Sequence, residues 1–292
     1  MIDSGGTADH ADELQRGLVS HCYRMLGSIT DAVEIAAKTS GYESATRACL
    51  QRAGTRPLPS SLGAPSARPE GTLTQNTEIL WLEPIPASLM DDHPIDLGLI
   101  AALQRLDPLE RATAVHHLEG LPTDFLTGRP GDVAPAPIVP SPLVTPDEAL
   151  LARYRSAFER YDVPAIVALF TDDAIWEMPP FTSWFRGARD IGRLISTHCP
   201  AERPGDQYLV PLEANGHPAF AVYMRDPKDN VHRAFQFQVL TLTAAAVVHA
   251  VAFFDLTLFQ TFQLPQALAS LPPNPYDGTP KPHVERIPHP RG

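Results

Sequence analysis

Proline decides first how this chain can be partitioned. Its 31 prolines are about twice the usual share, and they crowd into 122–146 and 272–290. A residue with fixed φ and no backbone N–H cannot sustain a helix interior or a central strand, so both stretches are expected to be extended. They divide the 292 residues into a helical region 1–121, loop-rich over 54–96, a linker 122–145, a second unit 146–268 and a tail 269–292.

Several classes are excluded by composition. No apolar run reaches the roughly 18 residues that a membrane span needs. The N-terminus MIDSGGTADHADEL is acidic and polar, with no signal-peptide core. Cys22, Cys49 and Cys199 are scattered, and neither they nor His116, His117, His198, His232 and His249 show metal-ligand spacing. A cytoplasmic protein with no metal, no cofactor and no membrane partner is expected. The net charge of −11 argues against a chain that grips nucleic acid over much of its surface. Residues 1–121 alone hold 9 Lys/Arg against 16 Asp/Glu.

Apolar spacing predicts a helix pair over 11–38, with Leu14, Leu18, Cys22, Met25 and Leu26 on one face, a break at Gly27 and a cap at Thr30-Asp31. Weaker helical patterns cover 42–53 and 97–119, and 57–80 reads as loop. Asp147-Glu148 and Asp162-Val163-Pro164 each open a helix, and a third runs from Ala188 to Thr197. Strands are predicted at 174–178, 207–213, 218–225, 231–243 and 246–255, with PKDN as a hairpin turn. Helices followed by a curved antiparallel sheet make an α+β cone around a cavity.

The segment HCYRMLGSITDAVEIA resembles the first helices of region two in extracytoplasmic-function (ECF) sigma factors. SATRACLQRAGTRPLPSSLGAP and WLEPIP resemble the connector of that group, and LIAALQRLDPLERA resembles the start of region four. The rest of region two and the helix-turn-helix of region four look cut out. The resemblance, so shortened, implies no specific DNA binding and no contact with RNA polymerase.

EMPPFTSWFRG, ANGHPAFAVYMRD and VLTLT…AVAFFDLTLF resemble the SnoaL-like, nuclear-transport-factor-2-like domain appended to such sigma factors. Ketosteroid isomerases, polyketide cyclases and epoxide hydrolases share that fold. Alignment with the isomerases puts Tyr154 and Gln238 at the oxyanion donors and Met178 where the general base should be. Ala252 falls where the hydrolases have their catalytic aspartate. Counting outward from the PKDN turn sets Ala219, Ala221 and Tyr223 on one inward face with Ala234, Gln236 and Gln238. The cavity is then catalytic at Tyr154, Gln238, Gln236 and Tyr223, and holds substrate on Trp176, Met178, Trp184, Phe185, Ala234, Ala252 and Phe254. Tyr154 can equally be a core tyrosine with a satisfied hydroxyl. Alternation turns Glu177 and Asp255 away from the cavity, toward an ion pair or a loop cap.

What these likenesses imply is a cofactor-independent, sigma-derived enzyme of natural product biosynthesis. As a cyclase, isomerase or epoxide-opening enzyme it would take a bulky, apolar, polyketide-like substrate. The alternative is a ligand-binding or transcription-regulatory sigma-like protein without catalysis.

Overall fold

A computed structural model of the chain describes residues 5–93, 95–126 and 147–272. Of the expected extended linker 122–145 only 122–126 is described, and there Asp124–Leu126 forms a turn of 3-10 helix that buries Leu126; residues from 127 to 146 and the tail from 273 onward lie outside the described residues. The first helix, α1 (Gly5–Leu26), buries Leu18, Cys22, Met25 and Leu26 as its spacing predicts. Gly27 ends it at φ 64, where a Cβ would also meet the Gln104 side chain at 3.2 Å. The next helix, α2 (Ile29–Ala36), is capped by Ser28 rather than by Thr30-Asp31. Ser28 is the last extended residue before the helix, so its hydroxyl reaches the Asp31 N–H at 3.1 Å. There follow α3 (Tyr42–Arg52), α4 (Leu97–Leu103, capped by Asp96) and α5 (Pro108–Leu118, capped by Asp107).

Helix ends leave carbonyls without partners, and Arg111 collects them. This arginine, 1% exposed, donates to the carbonyls of Met25, Leu103, Gln104 and Leu106 and to the Gln104 side chain. It thereby ties α5 to the C-terminal ends of α1 and α4. A second buried network joins Arg24, Asp91, Glu119, His21, Thr46 and His116.

The second unit begins with α6 (Glu148–Glu159) and α7 (Val163–Val167), capped by Asp147 and Asp162. Strand β1 (Phe170–Glu177), the short β2 (Trp184–Arg186) and α8 (Ala188–His198) follow. The remaining strands are β3 (Gln207–Ala214), β4 (His217–Arg225), β5 (His232–Leu242) and β6 (Val247–Phe253). A turn of helix, α9 (Leu258–Thr261), leads to β7 (Ala267–Leu268). The sheet order is β2-β1-β6-β5-β4-β3, with β7 on β5. The α+β class is as expected, but the sheet is mixed: β1 and β6 are parallel. Everything between them forms the long crossover that a parallel pair requires.

Alternation gives the sheet two apolar faces. Leu209, Phe220, Val222, Leu240, Ala250 and Ala252 point inward, against α6 and α8. Ala219, Ala221, Tyr223, Phe237, Val239, Val251 and Phe253 point outward, into one core with α1–α5 and α9. This corrects the predicted faces. Tyr223 pairs with Ala234 but Val222 pairs with Gln236, so Phe235 is an extra residue in β5. That bulge shifts every later pair by one, which flips Ala219, Ala221 and Tyr223 to the side opposite Gln236 and Gln238. Ala234 stays with Tyr223 on the outer side.

The β3–β4 turn anchors the two units. Asn215, buried and at φ 55, accepts from the Ile85 N–H and donates to the Tyr23 hydroxyl (2.9 Å) and the Ile95 carbonyl (2.8 Å). The segment read as loop over 57–80 is pinned across the mouth of the cone. The Ala67 N–H donates to Trp184 O, Asn76 N–H to Pro180 O and Thr182 N–H to Thr74 O.

Two outcomes follow from these contacts. Asn215→Ala strands the buried Ile85 N–H and should cost about 2–3 kcal/mol in urea unfolding. Burial also holds His116 and His217 below the ordinary value of 6.5. The unfolded chain then takes up protons first as pH falls, so stability should be flat above about pH 6.5 and decline below it. Urea midpoints at pH 7.5 and 5.5 measure the decline, and His116→Gln should reduce it.

Candidate functional site

The cone encloses a cavity of about 370 Å³. Its wall is assembled from Phe158 of α6, Trp176 of β1 and Met178 just beyond it, Leu194, Ile195 and His198 of α8, and Gln207 of β3. Phe235 and Gln236 of β5 and Phe254 complete one side. The pinned segment supplies Leu73 and Gln75, and Phe181, Cys199 and Pro200 close the rest. Among the described residues no Asp, Glu, Lys or Arg lines it.

Of the residues predicted for the site, Trp176, Met178, Gln236 and Phe254 lie on this wall. Tyr154 and Gln238 sit behind it, both fully buried. The Tyr154 hydroxyl donates to Gln238 Oε1 at 2.9 Å. Phe158 and Phe220 hold the Tyr154 ring at centroid distances of 4.6 and 5.4 Å, and burial pushes its hydroxyl well above its ordinary pKa. The Tyr154 hydroxyl is therefore spent on Gln238 rather than facing a substrate, and the Gln238 amide Nε2 is buried without a partner.

Tyr223 and Ala234 lie on the outer face, where the Tyr223 hydroxyl donates to Pro265 O at 2.9 Å. Phe185 and Ala252 are inner-core residues that do not line the cavity. Trp184 holds the pinned segment, donating through Nε1 to Ala64 O at 3.0 Å. Glu177 turns outward as alternation requires: its carboxylate meets His249 Nε2 at 2.8 Å and accepts from the Ser60 N–H at 2.7 Å. Asp255 caps the turn at Thr257.

Leu73 and Gln75 had no signal in the sequence, because a loop's docking site depends on a surface far along the chain. Phe235 was hidden by the bulge. Leu194 and Ile195 could have been found from the amphipathic spacing of α8.

The polar chemistry of the wall is neutral. Trp176 Nε1, Gln207 Oε1 and Gln236 Oε1 are buried without a hydrogen-bond partner. Gln207 spends its amide N–H on Cys199 Sγ, and His198 Nε2 pairs with Pro69 O at 2.9 Å. The wall can orient a molecule, and it offers no carboxylate to act as a base. Among the described residues no group of His, Cys, Asp and Glu could hold a metal ion.

The Tyr154–Gln238 bond makes a structural prediction. Tyr154→Phe should cost about 1–3 kcal/mol, since the Gln238 carbonyl is left buried without a donor. Adding Gln238→Leu should recover part of the loss, a coupling that a double-mutant cycle in urea reads directly.

No family model matches the chain. The ECF RNA polymerase sigma factor SigG of Mycobacterium tuberculosis is 39% identical, over 90% of this chain and 85% of its own. The crystal structure of the extracytoplasmic function sigma factor SigJ of the same organism superposes with a TM-score of 0.53 at 16% identity. That match covers 89% of this chain and 99% of the other. An NTF-2-like protein from Burkholderia xenovorans LB400 matches 37% of the chain, with a TM-score of 0.31 at 16% identity. The likeness to SigG overturns the expected natural-product enzyme, and the geometry agrees: the Tyr154 and Tyr223 hydroxyls are spent on Gln238 and Pro265, away from the cavity. It equally overturns the expectation of a chain without promoter DNA or polymerase. Within the helical part Asp31, Glu34, Glu83, Asp91 and Glu119 pair with Arg24, Arg52 and Arg56. With SigG alike over 90% of its length, the chain belongs to the ECF RNA polymerase sigma factor family, and it shares its fold with SigJ.

Proposed function

We propose that this protein acts in transcription initiation, with core RNA polymerase as partner and promoter DNA as target, in the cytoplasm where that machinery works. The observation that carries this reading is the 39% identity to a sigma factor over 90% of the chain. The helical part is also a formed unit rather than a loose remnant. Arg111 and the Arg24–Glu119 pair give α1–α5 one specific arrangement, with α3 and α5 joined to α1 through Thr46 and His116.

In this reading regions two and four are present in shortened form. The alignment to SigG runs over 325 positions, whereas 90% of 292 residues is about 263. About 60 of those positions therefore have no residue in this chain. The turn from α2 to α3 takes only residues 37–41, which is consistent with helices shortened by deletion. Residues 1–121, 146–268 and the prolines between them correspond, on this view, to sigma-like part, cone and linker.

Retention on polymerase tests the proposal. Tagged full-length chain should retain core RNA polymerase from a purified mixture and alter run-off transcription from its own promoter. The DNA-dependent effect should weaken steeply between about 50 and 200 mM salt. No retention of polymerase at low salt, under conditions where an intact sigma factor is retained, would remove this reading.

A further inference from the structure

The cavity has features that a role in transcription does not explain. Trp176, Gln207 and Gln236 are 3%, 2% and 5% exposed, and each carries a polar atom with no partner. An unpaired buried polar group costs on the order of 1–3 kcal/mol. Three of them around one hollow are a cost that a bound molecule can remove. One is a donor, the Trp176 indole N–H, and two are acceptors, the Gln207 and Gln236 amide oxygens.

The surroundings narrow the chemistry. Trp176, Phe158, Phe181, Phe235 and Phe254 supply aromatic surface, which favours a flat apolar body. With no Asp, Glu, Lys or Arg among the described residues of the wall, an ionised ligand would lose its hydration and find no permanently charged partner. Size follows from volume. At about 370 Å³ the hollow lies toward the small end of the roughly 300–1,000 Å³ range of ligand pockets, room for a compact one- or two-ring molecule.

We infer that this cavity binds a neutral, mostly apolar small molecule carrying one hydroxyl or amide, which donates to a glutamine oxygen, Gln236 in the first place, and accepts from the Trp176 N–H. The bound molecule also touches the connector. Leu73 and Gln75 belong to the segment between α3 and α4, which joins the two groups of sigma-like helices. Its attachment to the cone mouth runs through Ala67, Thr74 and Asn76, on both sides of Leu73. Occupancy therefore stabilises the docked connector, and an empty cavity leaves it easier to lift. The regulatory meaning of that coupling rests on the transcriptional role proposed above; the binding itself does not.

Calorimetry on the full-length chain with 2-naphthol and with 2-naphthoate tests the chemistry. The two share a ring system of the right size and differ in charge. 2-Naphthol should bind about tenfold or more tighter, and Gln236→Leu should weaken it severalfold. Ile195→Trp, which fills the hollow from α8, should abolish binding. Leu73→Trp, which fills it from the connector, should do the same and serves if the α8 variant fails to fold. Hydrogen exchange of residues 64–76 should slow in the presence of 2-naphthol. The inference is overturned by absence of 2-naphthol binding at millimolar concentration, by equal or tighter binding of 2-naphthoate, or by wild-type binding in a folded cavity-filling variant. Unchanged exchange in the connector with ligand bound would overturn the coupling. A chain that retains polymerase yet binds no 2-naphthol defeats this inference alone. One that binds 2-naphthol without retaining polymerase defeats the proposed function alone.

Discussion

A single sheet with two apolar faces is the constraint on which the rest of the molecule depends. Strands β3–β6 alternate without a polar side, so neither face can be left to water. α6 and α8 cover the inner face incompletely and leave the cavity. The outer face shares one core with residues of the helical part and with α9, whose Phe259 ring meets Phe237 and Tyr223 at 4.6 and 5.2 Å. Burying each such ring is worth about 1.5–3 kcal/mol. The helical part brings a core of its own, around Tyr23, Met25, Ile100 and Val115, and the sheet extends it.

Buried polar groups then decide how the two units are oriented. Apolar faces alone would tolerate many docked arrangements. Asn215, reaching Ile85, Ile95 and Tyr23 together, tolerates one. Arg111 plays the corresponding part within the helices, where it takes carbonyls that α1 and α4 cannot satisfy themselves. The acidic side chains of this region serve the same end through Arg24, Arg52 and Arg56. Their number describes internal bonding more than the surface that a partner meets.

The connector gives the cone a place in a sigma-like chain. A cone whose mouth is crossed by the segment joining the sigma-like helices cannot change its contents without that segment registering the change. Coupling of this kind needs no long pathway. Leu73 contacts the hollow, and the neighbouring backbone amides hold the strap.

Much of the architecture was legible in local sequence. Asp147 and Asp162 announced their helices, the PKDN turn set its hairpin, and Gly27 ended α1, because capping and turn geometry depend on a few neighbouring residues. The sigma-like and SnoaL-like motifs were legible for the same reason. The inner and outer faces of β4 were not. They hinge on Phe235, one extra residue in β5 that the strand pattern absorbs without trace. Nor could the sequence tell that Tyr154 and Gln238, 84 positions apart, would hydrogen-bond to each other in the core. Only the tertiary structure decided that the cavity keeps Gln207, Gln236 and Trp176 for a ligand and borrows Leu73 from a loop. Those outcomes depend on which distant surfaces meet, and local propensity and periodicity carry no information about that.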